Sequence, residues 1–232
     1  MAKIYIDAGH GGSSIGAVYK GRKEQDDTLR LALAAGKLVE AQGVTVKYSR
    51  TTDVNPDLTG RCNEANAWGA DYFISIHRNA YQPNQAQGVE AYVYSKCNVG
   101  GGTYNKAKVI VDDVCAATEF KNRGVKLGAP SYTDFAVNSV TEMSSCLLEC
   151  GFIDSDADNK IFDEKFNAMA LALAKGLCAA VGVTYKEAPD ANKPADDKMY
   201  TLTISPLSRY NVERLTKLLA EHKFYGKVTE VQ

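Results

Sequence analysis

An α/β fold is predicted for this chain: a mixed, mostly parallel sheet with helices on both faces, followed by a small C-terminal βαβ module. Three observations predict it. Strand-like and helix-like stretches alternate through residues 1–183, the pattern of a layered sheet-and-helix architecture. Several of the strand-like runs are apolar on both faces, as strands covered by helices on each side should be. After residue 183 the composition shifts abruptly, which marks the end of the first domain.

Taken in order, the strand candidates are residues 3–8, 44–49, 72–77, 89–95 and 145–150. Between the first two, Leu29, Ala32, Leu33, Gly36 and Val39 recur at helical spacing, and Gly43 supplies a stop. A second helix carries Phe162, Phe166, Met169, Ala170, Leu173 and Leu177 and ends before Gly182. Residues 184–198, TYKEAPDANKPADDK, are charged and proline-containing with little to bury, and read as a linker. The tail, residues 199–232, sets an apolar helical stripe (Val212, Leu215, Leu218, Leu219) between two alternating strands. A βαβ unit this small rarely buries enough surface to fold alone, so it is expected to lean on the first domain, a second copy or a ligand surface.

Composition narrows the function classes. A hydrophobic content of 45% suffices for one good core, and a net charge of −1 gives no field that would draw the chain to nucleic acid. No apolar run is long enough for membrane insertion. The amino terminus passes from MAK straight into a strand, without the regions of a signal peptide, so synthesis in the cytoplasm is expected. The six cysteines lack CxxC spacing and read as reduced, mostly buried thiols.

Chemistry concentrates at strand ends. Residues 7–12 read DAGHGG, which puts His10 among glycines just past the first strand, where open α/β sheets bind ligands. A lone histidine there is most simply a turn or capping residue. However, the chain has only three histidines, and His77, in FISIHRNA, also ends a buried strand. The third, His222, falls on the polar side of the tail helix and reads as solvated. Two imidazoles and a carboxylate, with a fourth position left to water, make a catalytic zinc site. Glu24, Asp26 and Asp27 all lie at the start of the helix after the glycine loop, where acids also serve the helix dipole, and spacing does not choose among them. Glu149, in SSCLLECGF, is an acid in an almost uncharged run. It is read either as half of a salt bridge to an arginine or as a carboxylate that moves a proton at the metal site.

With these residues assembled, the chain resembles the zinc-dependent N-acetylmuramoyl-L-alanine amidases of the type-three family, which includes autolysins, sporulation hydrolases and phage endolysins. The likeness covers about residues 3–181. It rests on DAGHGG with Gly16, Glu24 before a leucine-rich helix, YSRTTD at 48–53, Leu58 and Arg61 with Asn63 to Asn66, ISIHRNA at 74–80, Gly88-Val89-Glu90, RGVK at 123–126 and LLECGFIDS at 147–155. The resemblance implies that His10, Glu24 and His77 hold Zn2+ and that Glu149 is the catalytic carboxylate. It further implies cleavage of the amide between the lactyl group of N-acetylmuramic acid and the L-alanine of the peptidoglycan stem peptide. On this reading the glycines beside His10 make room for a glycan strand, and the enzyme acts on the cell wall after release, as a phage endolysin or a mother-cell autolysin.

Arg78 and Asn79, directly after His77, are assigned to substrate binding. Arg78 would grip a stem-peptide carboxylate in a bidentate way, the alternative being an arginine that saturates a local acid. Cys150 follows the catalytic acid and should point away from it into the core. The tail loosely resembles half of a sporulation-related repeat domain and is expected to bind wall, to pair into a homodimer, or both. A zinc carboxypeptidase would release free amino acids instead, a binding-only relative would have lost one of the four residues, and a glycosidase would need two carboxylates and no metal.

Overall fold

The computed structural model describes residues 1–131 and 133–187. Its centre is a six-stranded sheet built from β1 (Lys3–Ala8), β4 (Thr45–Tyr48), β5 (Tyr72–Asn79), β6 (Val89–Val93), β7 (Asn122–Leu127) and β8 (Ser144–Phe152), in the order β4-β1-β5-β8-β6-β7. Every neighbouring pair is parallel except β6 with β8, so β6 and β7 run against the other four. A two-residue hairpin, β2 (Val18–Tyr19) with β3 (Arg22–Lys23), sits ahead of the first helix. The mixed, mostly parallel sheet predicted from the sequence is the one found.

Helices cover both faces. On one side α1 (Glu24–Glu40), α3 (Gly102–Thr118) and α6 (Phe166–Ala180) bury Leu31, Ala35, Ile110, Val114, Leu173 and Leu177 against Ile4, Ile6, Ile74, Ile76 and Leu148. On the other, α2 (Leu58–Trp68) and α4 (Ala136–Ser139) cover a smaller cluster around Tyr5, Phe73, Tyr92 and Leu147. The short helix α5 (Asp156–Glu164) adds Phe162 to the larger core. Local chemistry sets the helix ends: Asp57 caps α2 by accepting from the Gly60 amide at 2.7 Å, and Gly69, at φ 69°, closes it in the left-handed conformation. Gly43 and Gly182 follow α1 and α6 in the same conformation, at φ 79° and 73°.

All six cysteines are free thiols, five of them buried, as composition predicted. Cys150 is fully buried in the larger core, on the face away from Glu149. The compact unit runs from Met1 to Tyr185, and Tyr185 packs on the core two residues into the predicted linker. The rest of that linker, from residue 188, and the predicted βαβ module with His222 lie outside the described residues.

Topology places the site. The chain leaves β1 through α1 to β4 at one edge, then returns through α2 to β5 on the other side of β1. The carboxyl ends of β1 and β5 therefore flank a topological switch point, where such sheets leave a crevice. On the α2 face, polarity changes along the strands with a period of two. Tyr5 gives way to Asp7, Phe73 to Ser75 and His77, and Leu147 to Glu149; on the reversed strand β6, Tyr92 is preceded by Glu90.

Candidate active site

His10 sits just past β1 at φ 63°, in the left-handed region. A tight turn holds it there: Gly11 and Ser14 exchange backbone hydrogen bonds of 2.7 and 2.9 Å, and the Ser14 hydroxyl meets His10 Nδ1 at 3.1 Å. Arg50, buried, clamps the loop from below by donating to the carbonyls of Ala8, Gly9 and Gln25 at 3.0, 3.0 and 2.7 Å. One side chain thus ties the loop bearing His10 to the first turn of α1.

Glu24 opens that helix, and its carboxylate lies between the two imidazoles. Oε2 is 3.1 Å from His10 Nε2, and Oε1 is 2.8 Å from His77 Nδ1. The amides of Ala17 and Arg78 donate to the same carboxylate at 2.9 and 3.0 Å. Burial alone would raise the Glu24 pKa, but the hydrogen bonds from His10 and His77 hold it well below the usual carboxylate range. Burial would likewise lower His77, and the Glu24 carboxylate reverses that and raises it. The two rings stand edge to face with centroids 4.9 Å apart, and ligand atoms from His10, Glu24 and His77 all fall within 4.8 Å of one another. The choice that spacing left open is thereby made: Asp26 is exposed, and Asp27 turns to Arg22 and Arg78 instead.

The glycines serve this cluster. A Cβ on Gly9 would lie 2.5 Å from the His77 ring, and one on Gly16, at φ 69°, would lie 2.5 Å from Glu24 Oε2 and 2.7 Å from His10. At Gly9 and Gly16 the missing side chain makes room for the site's own imidazoles and carboxylate.

Glu149 is paired in register with His77 on β5 and with Glu90 on β6. It forms no ion pair among the described residues, and its Oε2 is buried without a hydrogen-bond partner. Burial pushes its pKa up to about 8, with Glu24 and Glu90 pushing the same way and His77 opposing. The salt-bridge reading is therefore not the arrangement found.

Arg78 requires a correction. Next to His77 on a strand, it must point to the opposite face, and there it is buried. Its guanidinium donates to Asp27 at 2.5 Å and Asn159 at 2.7 Å, and lies 4.2 Å from the Phe162 ring centroid. It saturates a local acid and offers nothing to a substrate. Asn79 does return to the cleft face. It donates to Glu90 at 2.8 Å and accepts from the Ala80 amide at 2.8 Å, which leaves one amide hydrogen and one lone pair for a ligand.

Two groups near the site were legible in the sequence only as parts of motifs. Asp7, fully buried, accepts from Arg61 at 2.7 Å and from Ser75 at 2.6 Å, directly behind the cluster. Glu90, also buried, gathers Asn79, Tyr92, Arg123 and Lys126. An isolated acid in a strand facing other acids was the available signal for Glu90.

The crevice at the carboxyl ends of the strands brings together two imidazoles, a carboxylate and a separate buried acid, the residue types from which metal-dependent hydrolases build their sites. Comparison with known proteins gives the family: residues 4–179 match the N-acetylmuramoyl-L-alanine amidase family model, and the chain belongs to that family. It is 38% identical over 188 residues to the N-acetylmuramoyl-L-alanine amidase CwlM of Bacillus licheniformis, covering 79% of this chain and 70% of that one. It is 39% identical over 181 residues to the sporulation-specific N-acetylmuramoyl-L-alanine amidase of Bacillus subtilis, covering 76% and 67%. Among solved structures, the catalytic domain of CwlV, an amidase from Bacillus (Paenibacillus) polymyxa, superposes with a TM-score of 0.71 at 28% identity, covering 79% of this chain and all of that one.

Proposed function

We propose that this chain is a zinc-dependent amidase that splits the bond between N-acetylmuramic acid and L-alanine in peptidoglycan. In this reading His10, Glu24 and His77 hold the metal and Glu149 moves the proton. The observation that carries it is the division of labour between two carboxyls. Glu24 is strongly acidified between two imidazoles, while Glu149, one strand across, is raised to about 8 with a free oxygen.

The donor set, two nitrogen ligands and one oxygen ligand, is of the kind that catalytic zinc sites use. Zinc bound there would polarise the amide carbonyl and make water a better nucleophile near neutral pH. Glu149 takes the proton from the attacking water and passes it to the departing alanine nitrogen, without which an amine leaves very poorly. Asn79, oriented by Glu90, donates its remaining amide hydrogen to the substrate.

The enzyme is proposed to act on the cell wall as an endolysin or a mother-cell autolysin, its tail supplying wall binding, homodimer formation or both. No helix among the described residues is long and apolar enough to cross a membrane. Metal content tests the core of the reading. The purified protein should carry close to one zinc, and replacing His10, Glu24 or His77 should remove it, whereas Glu149→Gln should keep it. Retention of full zinc by all three ligand variants would refute the assignment. Deleting residues 199–232 should weaken sedimentation with purified walls or reduce the mass in solution, and no change in either would rule out the tail's role.

A further inference from the structure

Register continues the site sideways. His77, Glu149 and Glu90 form a row across β5, β8 and β6, and the next strand, β7, sends Arg123 and Lys126 back to Glu90. Arg123 Nε donates to Glu90 Oε2 at 2.6 Å, and the Lys126 ammonium meets the same oxygen. Glu90 is itself buried, but the side chains of Arg123 and Lys126 are 29% and 39% exposed. Two cations sharing one carboxylate leave a net positive charge on this edge. Glu90 takes Asn79 and Tyr92 on its other oxygen, at 2.8 and 2.7 Å, so Arg123 and Lys126 share Oε2 alone, and a guanidinium and an ammonium carry more donor hydrogens than that one oxygen accepts. Arg123 Nη1 makes only a long 3.5 Å contact to the Gln87 carbonyl.

We propose that Arg123 and Lys126, held by Glu90, form a subsite for a carboxylate on the peptide side of the scissile amide, with the stem peptide lying across the strands from β8 toward β7. The inference rests on the amidase reading and extends it to substrate recognition. Chemistry fixes which half of the substrate lies there: the glycan side is uncharged, and free carboxylates occur on the peptide. Distance agrees. Glu149 and β7 are two strand spacings apart, about 10 Å, and an extended peptide covers roughly 7 Å in two residues, leaving the remainder to the side chains. The carboxylate-gripping role expected of Arg78 thus falls to residues on the cleft face. Because the contact is remote from the reacting bond, it strengthens ground state and transition state alike and should appear in KM.

The test uses the full-length protein and two N-acetylmuramoyl tripeptides that differ only in whether the second residue's α-carboxylate is free or amidated. The wild type should prefer the free acid by about tenfold in kcat/KM, through KM with kcat unchanged. Lys126→Gln should remove most of that preference, Lys126→Gln with Arg123→Gln should abolish it, and Lys126→Arg should retain it. Melting curves establish that the variants fold; if the double variant does not, the contrast between Lys126→Gln and Lys126→Arg decides. Equal cleavage of both compounds by the wild type, or an undiminished preference in Lys126→Gln, would overturn the subsite alone. Failure to cleave either compound at L-alanine would overturn the amidase reading and the subsite with it.

Discussion

Glu149 stands directly opposite His77 across the ladder joining β8 to β5, and its Oε2 is buried with no hydrogen-bond partner. A carboxyl so placed carries a desolvation cost, and in the proposed mechanism it is the group that moves the proton. Glu149→Gln should therefore lower kcat by roughly 10²–10⁴, the range for loss of a general acid–base group, with bound metal unchanged. Single-turnover assays on isolated walls alongside metal analysis would measure both. Activity within a few-fold of wild type would remove Glu149 from the mechanism.

The same residue gives the metal-stripped protein a pH signature. Its folded pKa of about 8 lies above the ordinary value of 4.5, so between these values the folded state keeps a proton that the unfolded state releases. Stability from this group is full below about pH 4.5 and falls as pH rises toward 8. Glu149→Gln lacks that loss and should become more stable than wild type across this window, by an amount on the order of a few kcal/mol at its upper end. Urea titrations of both proteins in chelator from pH 4.5 to 8 would reveal it; a constant difference would contradict the burial argument.

Gly9 is tied to His77 by contact rather than by conformation. Gly9→Ala drives a Cβ to 2.5 Å from an imidazole that Glu24 already fixes, so the ring must move. Zinc affinity should fall at least tenfold, while overpacking costs only about 1–3 kcal/mol of stability. Competitive titration against a chromogenic chelator would check this, and unchanged affinity would show that the ring has slack.

Behind the cluster, Arg61→Leu strands the fully buried Asp7 with Ser75 as its remaining partner. Breaking a buried pair in this way costs about 3–5 kcal/mol, a drop in Tm of roughly 10 °C for a domain of this size. Adding Asp7→Asn should recover part of the loss. Calorimetry of the single and double variants provides the measure.

The sheet and both strand-end histidines were readable from the chain because buried strands carry dense apolar runs, and polar interruptions at their ends stand out. Glu24 was not readable from spacing alone. Three acids open α1, and only the path of the glycine loop selects the first of them. Arg78 was misjudged although the signal was present: the alternation that sends Cys150 into the core also sends the neighbour of His77 to the far face. RGVK entered the sequence reading only as a motif of the resemblance and not as a strand, because it is half-exposed and contains glycine and so lacks the dense apolar run of a buried strand. The purpose of Gly9 and Gly16 depends on side chains distant in sequence, which no local pattern reveals.

The most direct measurement is to digest purified peptidoglycan with the zinc-loaded enzyme, the chelated enzyme and the enzyme with zinc restored, labelling every new chemical end. New L-alanine amino termini that vanish on chelation and return with zinc are the predicted result. Free D-alanine, new reducing sugars, or L-alanine termini that persist without metal would contradict the account.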